Sequence, residues 1–527
     1  MPQADATIYD VAIAGYGPAG ATLANLLAKY GLRIAVVDQA AGIYGKPRAI
    51  TIDHEVLRVF QACGLQDTIA AHTAPHPGTH YLGVDGGIIK KFDPMPPPFP
   101  LGWVPTATFL QPAFEQALRD RLATYDKADI FLSAQAIGIA QDDNGTTLTI
   151  ESETGGIRTL RARYLVGCDG ANSFVRKSLG IGLTDLAFDE WWMVVDALEH
   201  GATKRPEKCF QYCRPSRPGT FLPGPGELRR WEIKLLPGEE PATFSERENV
   251  LKVLADFTDV TKVEIWRTAV YRFHALLAQD WQSGRIFLMG DACHQTPPFL
   301  GQGLSAGIRD AVNLAWKLAL VLRGDAQPSI LPTYEQERAP HVGAIVALAK
   351  DFGLIIGELD AKAAAVRDAR LRDELNSGKA ETIRQKFIPD LARGLIAMDT
   401  PRAGTLFPQP FIDTANGIVR LDDLMPPEFV IVAAASGSFD ALTPRSAEFL
   451  KSLGAACFVV KPAEAADSGR HAPALTETGR LFTDWLDHNG IVAALVRPDR
   501  AVYGGARDAG ELNALIETLA GKLGRAF

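Results

Sequence analysis

The chain has 527 residues, 47% of them apolar and 22% charged, with a net charge of −8. That is material for about three domains at ~150 residues each, with a composition that excludes a disordered chain. A net acidic chain without basic runs cannot neutralise a phosphate backbone, so nucleic acid is excluded as a partner.

Residues 7–14 (TIYDVAIA) are short, β-rich and apolar, as a buried parallel strand requires. The turn Gly15-Tyr16-Gly17-Pro18-Ala19-Gly20 follows. An amphipathic helix is predicted from Pro18 through Leu23, Leu26 and Leu27 to Tyr30, capped by Gly31. A second strand over 33–37 then ends at Asp38 and Gln39. Gly15 permits the tight turn, Gly17 lets the backbone approach a pyrophosphate, and Gly20 allows close helix–strand packing. The free N–H groups at the helix start face the phosphates. Asp38 stands where a carboxylate accepts from ribose hydroxyls. The unit predicts dinucleotide binding without choosing between FAD and NAD.

Two later elements choose FAD. The apolar run 164–167 ends at Cys168-Asp169-Gly170, and the run 284–289 ends at Gly290-Asp291, followed by Ala292, Cys293 and His294. Each strand end offers a carboxylate to a ribose or ribitol hydroxyl. The second continues through Pro298, Gly301, Gln302, Gly303 and Leu304 into a helix predicted over 305–321, another free helix N-terminus beside a cofactor.

Between them, 181–280 alternates in short runs (191–195, 209–213, 230–234) separated by Pro and Gly turns, an antiparallel-sheet pattern. Its Trp, Tyr and Phe residues would line a substrate pocket against the flavin domain. The Pro-rich stretch 75–100 reads as a loop or flap on the substrate side, and 330–400 as a helical connector. From about 404 the pattern is strand–helix–strand, with strands at 429–433, 456–460 and 491–496 and helices at 446–453 and 509–523.

Together with 47–49, Ile52-Asp53, 109–112, 230–232, 290–317 and 496–499, these motifs resemble class A flavin-dependent aromatic hydroxylases. That is the family of phenol hydroxylase and 4-hydroxybenzoate hydroxylase, and the resemblance is closest to its 3-(3-hydroxyphenyl)propionate hydroxylase branch. It implies an α/β fold: a Rossmann-like FAD-binding domain (1–180 and 281–400), an inserted antiparallel-sheet substrate domain (181–280) and a thioredoxin-like C-terminal domain (401–527). FAD would bind tightly and non-covalently. Gly15, Gly17, Gly20 and Asp38 would hold its ADP half, with Pro18, Ala19 and Gln39 beside them. Arg48 and Gln111 would also touch it. Asp169 and Gly170 would serve the pyrophosphate, Gly290 and Asp291 the ribitol, and Pro298, Gly301, Gln302, Gly303 and Leu304 the isoalloxazine. Cys293 and Ser305 depart from the commonest family residues without removing a charge.

The reaction this implies is hydroxylation of a phenolic ring with NAD(P)H and O₂, through a flavin C4a-hydroperoxide, in aromatic catabolism. NADH or NADPH would be a transient co-substrate, since no second strand–GxGxxG–helix unit is present. His54, Tyr212 and Tyr271 are the candidates for activating the phenol, with Arg214, Arg272 and His274 nearby in sequence. Two alternatives stay open: tailoring of a polyketide or heteroaromatic on the same fold, and a non-catalytic flavin-binding protein. Intact Arg48, Asp169, Asp291 and loop 298–303 weigh against the last.

Six scattered cysteines (Cys63, Cys168, Cys209, Cys213, Cys293, Cys457) suit neither a disulfide framework nor a zinc site, so no metal is expected and a reducing cytoplasm fits. No secretory signal is visible, and no run reaches the ~18 uncharged apolar residues of a membrane span. Without a CxxC, the C-terminal region is expected to serve packing or dimerisation rather than redox chemistry, and a homodimer is one assembly it would allow.

Overall fold

In the computed structural model, which describes residues 3–201, 205–463 and 474–527, the first strand runs over Gln3–Ala14 at the centre of a sheet. It pairs in parallel with Ile34–Val37 on one side and Ile157–Gly167 on the other. Ala128–Phe131 and Ile286–Leu288 extend the parallel set outward. The register fixes the site. Ala14 lies opposite both Val37 and Gly167, and Gly167 lies opposite Leu288. Four strands therefore end along one edge, so the turns beginning at Gly15, Asp38, Cys168 and Met289 are delivered side by side. That carboxyl edge is where open parallel sheets bind ligands. The helices Pro18–Lys29 and Gly303–Arg323 start from this edge and pack against each other. The antiparallel pair Ala134–Asp142 and Gly145–Ser152 hangs from the Ile157–Gly167 strand.

The second sheet has eight strands: His294–Gln295, Glu264–Ala278, Leu183–Leu198, Leu228–Lys234, Gly219–Pro223, Cys209–Tyr212, Thr79–Leu82 and Ile88–Phe92, in that spatial order. The stretch 75–100, expected as a loop or flap, thus supplies the last two strands. Thr79–Leu82 pairs in parallel with Cys209–Tyr212, so the sheet is mixed and reaches beyond 181–280. The sequence THYL alternates inside and outside, but the flanking prolines mask it as a strand. One face of this sheet turns to the first sheet's carboxyl edge. The other buries Met193, Val195, Phe221, Trp231 and Ile233 against the helix Arg247–Leu254.

The chain then forms the helices Thr333–Gly357 and Ala361–Asn376, as the connector reading expects, and a seven-stranded sheet. That last sheet contains Val430–Ala433, Ala456–Pro462 and Ala493–Val496, with the helices Pro444–Ser452 and Ala509–Lys522. Buried ion pairs tie it to the first two-thirds of the chain. Arg497 bonds Glu337 at 2.8 Å, and Arg58 bonds Asp422 at 2.6 Å. Among the described residues one helical stretch, Pro328–Gly357, is long and apolar enough to cross a membrane. Here its Tyr334, Val342, Val346 and Phe352 are buried in the protein, and its Glu337 and Arg338 are in ion pairs.

Candidate active site

Between the parallel sheet's carboxyl edge and the inner face of the mixed sheet lies a cavity of about 1210 Å³. That exceeds the ~300–1000 Å³ usual for one drug-sized ligand, so it has room for a large cofactor and a substrate together. At its first end the backbone leaves no choice of residue. Gly15 holds φ +106°, and a Cβ there would stand 2.2 Å from the Cys168 carbonyl oxygen. A Cβ on Gly20 would stand 2.1 Å from the Gly15 oxygen, which makes Gly20 a packing glycine. Gly17 differs: a Cβ would meet nothing within 4 Å, so its hydrogen side opens on the cavity. The Asp38 carboxylate accepts from the Tyr16 amide at 2.6 Å and the Ala40 amide at 2.7 Å, which fixes its direction.

The other strand ends are equally constrained. Asp169 accepts from the Val175 amide at 3.0 Å through Oδ2, while its Oδ1 is buried with no partner. A buried acceptor left unpaired is what a bound hydroxyl satisfies. Asp291 is open toward the cavity but enclosed by protein elsewhere, and that desolvation pushes its carboxyl above the ordinary value despite His294 and Arg48. The turn is bolted from behind. His294 Nε2 lies 2.7 Å from Asp310, which also accepts from the Gly290 amide and pairs with Arg338 at 2.9 Å.

Gln111 lines the cavity, but its side chain is already engaged. Its Oε1 accepts from the Arg48 and Ala49 amides, and its Nε2 donates to Glu115. It positions the Arg48 loop. The mixed sheet grips the same loop: Arg230 donates to the Arg48 and Pro47 carbonyls at 2.7 and 2.8 Å, and Arg267 to Pro47 at 3.0 Å. Fully buried Asp196 pairs with both arginines, at 2.7 and 3.0 Å.

At the second end, register across four strands builds a polar row. Tyr81 lies opposite Gln211, Gln211 opposite Thr220, and Thr220 opposite Glu232. All four line the cavity, as do Thr79, Cys209, Leu222 and Arg230 of the adjacent row. Thr220 donates to Gln211 Oε1. Burial pushes the Glu232 carboxyl up, with Arg230 opposing only part of the shift. His76, Phe92 and Arg384 close this end.

The structure brings Gly15, Gly17, Pro18, Ala19, Asp38, Gln39, Arg48, Gln111, Asp169, Gly170, Gly290, Asp291, Pro298, Gly301, Gly303 and Leu304 to one cavity, with Tyr271, Arg272 and His274. Gln302 instead faces away, bonded to Asp53 at 3.1 Å and to Arg309 at 2.8 Å. His54 opens the helix His54–Ala62 and lines a separate cavity of about 160 Å³. Burial there lowers it to about 4 against the pull of Asp53, so it is neutral at pH 7. Tyr212 is placed away from the cavity by strand parity. Its neighbour Gln211 points in, so Tyr212 points out, its ring 5.1 Å from Phe257. Arg214 sits over that same Phe257 ring. Tyr271 lines the cavity and accepts from Arg267, while Arg272 is paired with Asp189. The sequence reading missed the inward row Tyr81, Gln211, Thr220, Glu232, as well as Arg384. The alternation in 209–212 and 228–234 was the only signal available for them.

A glycine turn and three acid-bearing strand ends beside a polar-floored second chamber suit a dinucleotide cofactor with a substrate, and the family and relatives that match make the class a flavin-dependent monooxygenase. The FAD binding domain family matches residues 8–349, and the HcaD C-terminal domain matches 404–522. A 3-(3-hydroxyphenyl)propionate/3-hydroxycinnamic acid hydroxylase of Burkholderia vietnamiensis is 34% identical over 510 residues, covering 93% of this chain and 92% of that protein. One from Comamonas testosteroni is 32% identical, covering 95% and 94%. Among solved structures, the flavin-dependent monooxygenase PieE with FAD and substrate has a TM-score of 0.81 at 22% identity, covering 99% of this chain and all of that one. Aklavinone-11 hydroxylase with FAD and aklavinone has 0.76 at 24%, covering all of both chains. The chain belongs to the FAD-binding-domain family of flavin-dependent aromatic hydroxylases, and its cofactor is FAD.

Proposed function

We propose that this enzyme hydroxylates the ring of a small phenolic acid of the 3-(3-hydroxyphenyl)propionate or 3-hydroxycinnamate type, with NAD(P)H as transient reductant and O₂ as oxidant. The observation that carries the reading is a single cavity running from the glycine turn to the polar row of the mixed sheet. The curated relatives named for those two acids match along almost the whole chain. Reduced FAD supplies the oxygen-activating chemistry. The chain's own residues do the rest. Gly15, Gly17, Pro18, Ala19, Asp38 and Gln39 seat the ADP half, with Asp169 and Gly170 at the pyrophosphate. Gly290 and Asp291 hold the ribitol, and Pro298, Gly301, Gly303 and Leu304 border the isoalloxazine. Gln111, Arg230 and Arg267 fix the Arg48 loop against the cofactor. The phenol lies toward Gln211, Thr220 and Glu232, buried groups that exclude bulk water and accept or orient its hydroxyl proton.

The reading extends to organisation. A FAD domain over 1–180 and 281–400 is joined to a substrate domain centred on 181–280 and to a thioredoxin-like unit over 401–527. The last is supported by parallel pairing of Val430–Ala433 with Ala456–Pro462 and antiparallel pairing of Ala493–Val496 with Val502–Ala506. We place the enzyme in the cytoplasm as a homodimer.

The test is NAD(P)H oxidation by the FAD-loaded enzyme under air, with and without a panel of phenols, scoring hydroxylated product and peroxide separately. Strong stimulation by 3-(3-hydroxyphenyl)propionate with conversion to a dihydroxylated product is expected. Stimulation by none of the phenolic acids would overturn the substrate assignment and leave the fold standing.

A further inference from the structure

Resting on that reading, the geometry points to Arg384 as the residue that holds the substrate's side-chain carboxylate and so selects phenolic acids over neutral phenols. Arg384 belongs to neither the parallel sheet nor the mixed sheet. It sits in the short turn Arg384–Phe387 beyond the connector helices. That turn is held firmly. Gln385 donates to the Pro105 carbonyl at 2.9 Å and to Thr106 at 2.7 Å, and the Phe387 ring packs 5.6 Å from Phe92 and 5.8 Å from Phe352. Arg384 thereby stands between the two cavities, lining the second chamber beside Tyr81 and Cys209 and also the small polar cavity of Asp53, His54 and Gln302. One of its terminal nitrogens lies 3.0 Å from where a Cβ on Gly301 would stand, so it reaches the loop that follows Pro298.

The guanidinium has no ion pair or hydrogen bond among the described residues. Three arginines of this cavity and the small one beside it are engaged: Arg230 with Asp196, Arg272 with Asp189, and Arg309 with Asp53 and Glu55. Asp53, the nearest acid acting on Arg384, is itself taken by Arg309, Gln302 and the Val56 amide. Burial pushes the Arg384 guanidinium below its ordinary value, and Tyr81, Asp53 and Cys209 offset only part of that shift. Such a charge is costly unless something pairs it. A planar guanidinium fork with free donors, facing a chamber walled by Tyr81 and Phe92, matches a carboxylate tethered to an aromatic ring. The other cavity arginines without an ion pair among the described residues lie at the dinucleotide end: Arg48 belongs to the loop that Gln111 and Arg230 hold, and Arg119 donates to the Tyr16 carbonyl and sits over the Tyr16 ring.

The test titrates FAD-loaded enzyme with 3-(3-hydroxyphenyl)propionate and with the neutral 3-(3-hydroxyphenyl)propan-1-ol, reading the perturbation of flavin absorbance. The wild-type enzyme is expected to prefer the acid by about tenfold or more, the size of one charge-assisted contact. Arg384→Met should bring the two ligands to within about threefold by losing the acid while keeping the alcohol, and Arg384→Lys should fall between. Retention of the wild-type preference in Arg384→Met overturns the assignment and leaves the hydroxylase reading intact. So does an Arg384→Met variant that purifies without flavin but shows the wild-type preference once reloaded with excess FAD, since the arginine would then serve the cofactor. If the wild-type enzyme responds to neither ligand, the phenolic-acid reading itself fails, and this inference with it.

Discussion

The two ends of the cavity are built under different rules. At the parallel sheet's edge the backbone does the work: glycines sit where a Cβ would strike a carbonyl, and acids sit one to three residues past a strand. On the mixed sheet side chains do the work, and which of them reaches the cavity depends on pairing between segments far apart in sequence. Thr79–Leu82, Cys209–Tyr212, Gly219–Pro223 and Leu228–Lys234 each contribute one residue to the same row. A backbone rule tolerates no substitution at its point of contact. A side-chain rule tolerates many, at graded cost.

The largest effect expected from this difference is at Gly15. An alanine there places a methyl 2.2 Å from the Cys168 oxygen at a φ of +106°, a strain of roughly 3 kcal/mol or more. Gly15→Ala should purify without flavin or not fold at all. Gly17→Ala is the contrast, because its φ is −73° and no atom lies within 4 Å of the added carbon. Its thermal stability should stay within roughly 0.5 kcal/mol of wild type. Its FAD affinity should fall about tenfold, as the methyl takes the space of the pyrophosphate. Equal damage from both substitutions, read by flavin content and melting, would break the distinction.

That contrast also explains what was legible in the sequence. Gly15, Asp38, Asp169, Gly290 and Asp291 could be read because close backbone approach admits few residue types at fixed distances from a strand. The strand–helix pattern of 429–523 could be read because each element carries its own periodicity. The row Tyr81–Gln211–Thr220–Glu232 could not. Alternation says which residues share a face, but only the register says which face meets the cavity. The same parity argument removes Tyr212 and admits Gln211. Gln302 fits the motif by position but turns back to Asp53 and Arg309, and Arg384 lies in a turn with no periodic signal at all.

Next in size is Asp196, where the sheet clamps the cofactor loop. Removing this carboxylate strands Arg230 and Arg267 in a buried site, at about 3–5 kcal/mol. Asp196→Ala should lower the melting temperature and release FAD more easily than wild type, since both arginines hold the carbonyls of Pro47 and Arg48. A stable variant with normal flavin retention would mean that the clamp is dispensable.

The join to the C-terminal sheet shows a graded rule through pH. Burial alone would raise Glu337, but Arg497 and Lys317 outweigh it and hold the carboxyl at about 2, below its ordinary 4.5. A depressed acid stabilises the fold above its unfolded pKa and loses that contribution as pH falls from about 4.5 toward about 2. Wild-type melting temperature should therefore drop between pH 5 and pH 3 more steeply than that of Glu337→Gln. Parallel slopes would assign the acid sensitivity to other groups.

The smallest effects test the parity rule most directly, because they compare adjacent residues. Tyr212→Phe removes a hydroxyl on the outward face, where the ring packs against Phe257 and Phe210, and leaves the aromatic contact in place. Stability should shift by no more than about 0.5 kcal/mol, and kcat and KM should stay within about twofold. Gln211→Leu changes the neighbouring inward position at similar volume, freeing the Thr220 hydroxyl and removing an amide from the cavity floor. Flavin content should be preserved, since the proposed cofactor site is at the other end, while KM for the phenolic acid rises severalfold. If Tyr212→Phe raises KM and Gln211→Leu does not, the inward and outward faces are exchanged, and the second chamber would have to lie on the side now packed against Arg247–Leu254.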